Sequence, residues 1–382
     1  MMLAPSESYE LVIVGAGPSG LATALHLTRL RPDLAARMIV LEAAQHPRPK
    51  ICGGAVTAYG EQQLAALGVQ VSVPAAEVDQ IIFRYGPYTL VTAEPQAMRV
   101  VQRAEFDAAL AQAALARGVS IRSGTRLQAL EQHSDGWLLQ TNQGPLTARV
   151  VVGADGANSV VRRELGLRAP YGVARLLRVM TPADPRQPPH ADRSAVFDFS
   201  CMDAGIQGYV WDFPCVVDGQ PMINRGAFDS RIAHTAKGDL KQAFYRGLAA
   251  RGVDTAAIDL EGHPVRWFDP QAEFARPHAI LVGDAAGVDP VFAEGISYAL
   301  AYGEFAAQMV DKAFRQHAFE FTSYRTALLQ SELGRMLAWK TRLARLLYGR
   351  PPGRIWHAFW RLSMASPRWM NRWVGHALGV FG

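Results

Sequence analysis

Cysteine is scarce. Three residues in 382, Cys52, Cys201 and Cys215, stand far apart and form no CxxC pair or Cys/His ladder. This excludes a disulfide scaffold and leaves an iron–sulfur cluster or structural zinc without ligand spacing. An odd cysteine count with no recognisable secretory leader points to a cytoplasmic location. Uninterrupted apolar runs are missing too. Residues 279–310, among the most apolar, contain Asp284, Asp289, Glu294 and Glu304, whereas a spanning helix needs about 20 predominantly apolar residues. Residues 335–382 lack acid altogether: nine Lys or Arg and no Asp or Glu. The chain is +5 overall, yet the rest of it carries 30 basic against 34 acidic residues, a net of −4. A basic tail on a mildly acidic body does not suit nucleic acid, which calls for a basic stripe on the folded surface. With 49% hydrophobic and 19% charged residues, the chain is not disordered and can bury the core of two interlocked domains.

What is present begins with a strand-like run at residues 9–14, broken by Gly15-Ala16-Gly17-Pro18-Ser19-Gly20. An Ala/Leu-rich helical pattern follows at 21–30, then a second strand at 37–41 ending in Glu42. Strand, glycine turn, helix and strand open a dinucleotide-binding unit. Gly15 permits the tight turn, Gly17 lets a pyrophosphate approach the backbone, and Gly20 allows close helix–strand packing. The helix N-terminus offers free N–H groups and partial positive charge. Glu42 can accept from both ribose hydroxyls and disfavours a 2′-phosphate. Two further turns place a carboxylate beside a glycine after a strand: Asp155-Gly156 and Gly283-Asp284.

These features divide the chain into alternating segments. Residues 1–75, 101–170 and 269–320 read as three parts of a Rossmann-type dinucleotide-binding domain of α/β (α+β) class. Residues 76–100 and 171–268 read as an inserted, strand-rich substrate domain. Residues 321–382 read as a helical, basic, Trp-rich C-terminal region.

The set GxGxxG, Arg103-Ala104-Glu105-Phe106-Asp107, Asp155-Gly156 and Gly283-Asp284 resembles the flavoprotein fold of p-hydroxybenzoate hydroxylase over roughly residues 9–320. The resemblance implies tightly bound FAD. Arg103 would lie near its pyrophosphate, Asp284 at the ribityl–phosphate region, and Asp155-Gly156 near the flavin and the pyrophosphate. Leu127, at a strand start, would join the cofactor contacts. Two more motifs, Lys50-Ile51-Cys52-Gly53-Gly54 and Tyr209-Val210-Trp211-Asp212-Phe213-Pro214, are similar to those of the geranylgeranyl reductases. In that family the CGG loop sits by the flavin and the Y-x-W-x-F-P strand lines a prenyl tunnel. Gly295 and Ile296 match its flavin-facing helix start, although Ala293 stands where that family has glycine. After Pro214 a pair of spaced glycines is reduced to Gly226.

The implied activity is flavin-dependent saturation of a carbon–carbon double bond in an isoprenoid or related lipid. Cys52, Tyr209 or bound water would deliver the proton. With no second GxGxxG, NAD(P)H or a reduced ferredoxin would visit transiently as electron donor. The same fold also serves aromatic and natural-product monooxygenases. Tyr209, Trp211 and Phe213 share one strand face, which describes either a substrate wall or plain core, and Cys52 could be simply a small residue in a tight loop. In the tail, Trp339, Trp356, Trp360, Trp369 and Trp373 lie among basic residues. They suit either the headgroup layer of a membrane, as a peripheral contact, or burial against the body.

Overall fold

The structure is a computed structural model that describes residues 7–168, 172–233, 238–256, 258–349 and 352–365. Strand Glu7–Val14 is solid apolar at its end and fully buried there, as a central strand of a parallel sheet must be. It pairs in parallel with Met38–Leu41 on one side and Gly144–Gly153 on the other. Ser120–Arg122 extends the sheet beyond Met38–Leu41, and Ala279–Leu281 extends it beyond Gly144–Gly153, both in parallel. An antiparallel meander, Leu127–His133 and Gly136–Thr141, feeds into Gly144–Gly153. Ala275–Arg276 closes the other edge, making eight strands in all.

Helix Pro18–Leu30 packs on this sheet and against the long helix Ile296–Gln316. A Cβ on Gly303 would fall 2.3 Å from that of Ala22, so the glycine sets how closely the two helices approach.

The second sheet also has eight strands, in the order Glu261–Arg266, Val173–Pro182, Gln220–Asp229, Gly208–Val217, Ser194–Asp198, Ala75–Tyr85, Tyr88–Val101 and Ala55–Thr57. One of its faces takes helix Leu240–Ala250 through Phe244 and Leu248, which pack with Val210 and Ala227. Its other face turns to the cleft between the sheets.

Two C-terminal helices, Glu332–Tyr348 and Arg354–Ala365, brace this arrangement. Thr341 Oγ1 donates to the Phe268 carbonyl at 2.7 Å and the Tyr348 hydroxyl to that of Val291 at 2.8 Å. Trp360 is buried, with its ring 5.9 Å from that of Tyr85 and 6.3 Å from that of Phe199. Trp356 meets Tyr85 edge-on. Trp369 and Trp373 lie outside the described residues. No helix among the described residues is long and apolar enough to cross a membrane.

Candidate active site: a cleft between two sheets

Four parallel strands end level with one another. Val14 pairs with Leu41 and with Gly153, and Gly153 pairs with Leu281. The turns that follow therefore line one carboxyl edge, where open α/β sheets bind ligands. Glu42, the glycine turn, Asp155 and Asp284 all arrive at this edge. Between it and the second sheet lies a cavity of about 420 Å³.

Within the glycine turn the three glycines do different work. Gly15 has φ +109°, and a Cβ there would lie 2.4 Å from the Ala154 carbonyl oxygen. A Cβ on Gly20 would lie 2.0 Å from the Gly15 oxygen. Both are closed by protein. Gly17 is open: a Cβ there meets only Arg48 Nη2, at 3.7 Å, and projects into the cavity. This is the cradle that a pyrophosphate requires. Pro18 and Ser19 line the same wall, and the helix beginning at Pro18 turns its N-terminus there.

Glu42 is nearly buried and accepts from the Ala16 and Ala44 N–H groups, each at 3.0 Å. Arg48 bridges Glu42 at 3.2 Å and Asp107 at 3.3 Å. Arg103 holds Asp107 with both arms of its guanidinium, at 2.8 and 2.9 Å. Burial opposes its charge, but Asp107 and the nearby Cys52 sulfur outweigh this and hold its pKa above the ordinary value. The Asp155 carboxylate caps the following turn through Ser159 and the Val161 N–H, and burial raises its pKa against these bonds. Asp284 is different. Its carboxylate has no hydrogen-bond partner among the described residues and faces the cavity, 3.7 Å from where a Cβ on Gly295 would be.

An open phosphate cradle, a ribose-side carboxylate and an unengaged acid at the far end fit an extended dinucleotide such as FAD. Leu127, Gly156, Gly295 and Ile296 complete the expected wall. Gly283 stands behind it, with φ +57° and its Cβ position 2.5 Å from Ser19 Oγ.

Cys52, Leu176, Ala293, Gly295 and Ile296 also line a second, smaller cavity of about 80 Å³. Its walls are aromatic. Tyr209, Trp211 and Phe213 project from strand Gly208–Val217 and meet Phe197, Phe228 and Phe292. Phe197 lies 5.1 Å, ring to ring, from both Tyr209 and Phe213. Gly53 lines this cavity; Pro214 lines neither. The Tyr209 hydroxyl donates to the Phe292 carbonyl, and burial pushes its pKa well up. Asn224 joins strand to loop. Its amide oxygen accepts from the Trp211 indole at 3.2 Å, and its amide nitrogen donates to the Cys52 and Gly53 carbonyls at 2.9 and 3.1 Å.

The loop between the cavities carries Ala293 at φ +54°, a left-handed conformation that favours glycine. It is pinned from the C-terminal helix by Lys340, fully buried, at 2.9 Å from Asp289 and 3.2 Å from Glu294. Glu294 also accepts from Thr57 Oγ1 at 2.6 Å.

Arg48, Lys50, Asn224, His263 and Lys340 did not emerge from sequence reasoning as site residues. Lys50 and Asn224 stood inside or beside motifs, which is the one signal that could have found them. The others are recruited by the fold.

The family described as FAD binding domain matches residues 8–200, half of the chain. The menaquinone reductase of Mycolicibacterium smegmatis is 28% identical, over 88% of this chain and 84% of its own. Digeranylgeranylglycerophospholipid reductase 1 of Methanothermobacter thermautotrophicus is 24% identical, over 80% and 77%. A geranylgeranyl bacteriochlorophyll reductase-like protein of Thermoplasma acidophilum shares the fold, with TM-score 0.72 and 21% identity over 98% of this chain and all of its own. The phosphate cradle lies inside the matched segment, and Asp284 and Gly295 complete the cleft from outside it. The chain belongs to the FAD binding domain family and is an FAD-dependent oxidoreductase.

Proposed function

We propose that this enzyme saturates carbon–carbon double bonds of an isoprenoid or related lipid. The observation that carries the reading is the aromatic cavity, which adjoins the cofactor cleft at Cys52, Gly295 and Ile296. The likeness to a menaquinone reductase and to a digeranylgeranylglycerophospholipid reductase supports it. When bound, FAD supplies hydride transfer. The chain's own residues do the rest. Tyr209, Trp211 and Phe213 hold an apolar chain and keep water from it. At about 80 Å³ the cavity is smaller than the roughly 300 Å³ of an ordinary ligand pocket. It suits a narrow chain end, or one whose entry parts the aromatic side chains.

Of the two side chains expected, beside bound water, as proton donors, Tyr209 has its hydroxyl proton on the Phe292 carbonyl. Cys52, on the boundary of both cavities, is better placed to pass a proton to the substrate carbon. Electrons come from NAD(P)H or a reduced ferredoxin visiting transiently. A lipid substrate would be met at a membrane surface through the basic C-terminal region, where Leu346 and Leu362 are 75% and 71% exposed. Sedimentation with anionic liposomes at low and high salt tests this contact: protein that stays in the supernatant at low salt rejects it.

The reaction is tested with photoreduced enzyme, a prenyl lipid and no oxygen. The expected result is flavin oxidation and a mass gain of two hydrogens. Oxygen dependence and a gain of one oxygen atom would instead identify a monooxygenase.

A further inference from the structure

Lys50 is a cation that the protein leaves incompletely served. Its ammonium lies 2.5 Å from His263 Nε2, and His263 belongs to strand Glu261–Arg266 of the second sheet. The contact thus crosses the cofactor cleft, and both residues line it. Burial, and then the neighbouring ammonium, lower the His263 pKa to about 4. The imidazole is therefore neutral, Nε2 accepts, and Lys50 donates. An ammonium has three N–H groups, and the other two find no partner among the described residues. Burial is the main influence on it and lowers its pKa; through space, Asp284 raises it and Arg103 lowers it. Among the other cations lining the cleft, Arg48 and Arg103 are ion-paired to acids, and Arg126 is exposed to solvent.

A partly buried cation with free donors and a neutral anchor selects an anion. FAD offers two: its diphosphate and, after reduction, the flavin ring. The diphosphate has its own reception at the turn, where Arg48 reaches to 3.7 Å of the Gly17 Cβ position. Lys50 instead precedes Cys52 by two residues, and its anchor His263 pairs across the second sheet with Leu176; Cys52 and Leu176 line both the cleft and the aromatic cavity. We propose that Lys50, fixed by His263, is an anion site for the reduced flavin ring and binds the reduced cofactor in preference to the oxidised one. The proposal concerns the cofactor and holds whichever substrate the enzyme takes.

Spectroelectrochemistry of the holoenzyme, with the affinity of the apoprotein for oxidised FAD, tests it in K50M, K50R, H263A and H263Q. In K50M oxidised FAD should bind as in the parent, while reduced FAD binds about tenfold more weakly, which lowers a two-electron potential by about 30 mV. K50R keeps the cation and H263Q keeps an acceptor, so both should stay near the parent potential. H263A frees the ammonium and should fall between. Equal weakening of both redox forms, with no change in potential, would assign Lys50 to the diphosphate and overturn the proposal. An unchanged affinity and potential would overturn it as well. If K50M does not retain FAD, H263A decides, and a parent-like potential there rejects the site.

Discussion

Trp211 and Gly226 face each other across the second sheet, and a methyl group on Gly226 would fall 2.0 Å from Cζ2 of the indole. The glycine is the seat of the tryptophan. From that seat the indole reaches Asn224, and Asn224 reaches the carbonyls of Cys52 and Gly53.

Gly226→Ala should therefore displace Trp211 and loosen the Cys52 loop without touching the phosphate cradle. Overpacking of this kind costs about 1–3 kcal/mol. The purified variant should stay yellow, show altered tryptophan fluorescence and lose lipid turnover. Parent-like turnover would mean that the indole does not shape the substrate cavity.

Trp211→Ala separates wall from core. It should leave the flavin spectrum intact and depress lipid turnover, with truncation costing about 3–5 kcal/mol of stability. Full turnover with only a lower melting temperature would make the aromatic face plain core.

The glycine turn yields opposite outcomes three residues apart. Gly17→Val places its side chain in open cleft, so the protein should fold and elute without FAD. Gly20→Ala meets the Gly15 carbonyl and should cost folding stability first. Circular dichroism and flavin absorbance distinguish the two, and a folded G17V protein with full FAD occupancy would reject the phosphate assignment.

Lys340→Met would leave the buried carboxylates of Asp289 and Glu294 without their cation. Breaking a buried pair in this way costs about 3–5 kcal/mol. Thermal melts should show the loss, and Asp289→Asn in the same chain should recover part of it.

Two histidines set an acid limit. Burial is the main cause that lowers the pKa of both His26 and His263 to about 4, from an ordinary value of 6.5. The unfolded chain then binds protons that the folded chain refuses. Their stability contribution is complete above pH 6.5 and is lost as pH falls toward 4. After solvent screening, each should be worth about 1–2 kcal/mol. Chemical denaturation at pH 7 and pH 5 measures the slope, and His26→Gln should flatten it.

The carboxyl-edge turns were legible because each directly follows a strand-like run and ends in a small set of residues, glycine with Glu or Asp. Pairings that span the chain left no local trace. Lys50 and His263 are 213 residues apart, and Lys340 is 51 residues from Asp289. The aromatic cavity was half visible: Tyr209, Trp211 and Phe213 alternate on one strand, but Phe197, Phe228 and Phe292 come from elsewhere. Ala293 looked like a departure from family pattern, and the structure gives it a meaning. The backbone there is left-handed, which is why glycine serves at that position and alanine carries strain. For the tail, two environments suited the tryptophans equally; Trp360 is buried and Trp339 and Trp356 pack partly buried against the core, while Trp369 and Trp373 lie outside the described residues.

The polypeptide passes between the two sheets repeatedly, and this has a consequence for its biogenesis. Strand Ala279–Leu281 pairs with Gly144–Gly153, whose other neighbour is the first strand of all. Between them the chain builds most of the second sheet. When a ribosome has released only the first 270 residues, every strand of the second sheet is out but the first sheet still lacks Ala275–Arg276 and Ala279–Leu281, so an edge of Gly144–Gly153 waits for a partner made late. Such non-local pairing slows folding and invites aggregation on the way. Chaperone supply during synthesis should therefore raise the yield of active enzyme.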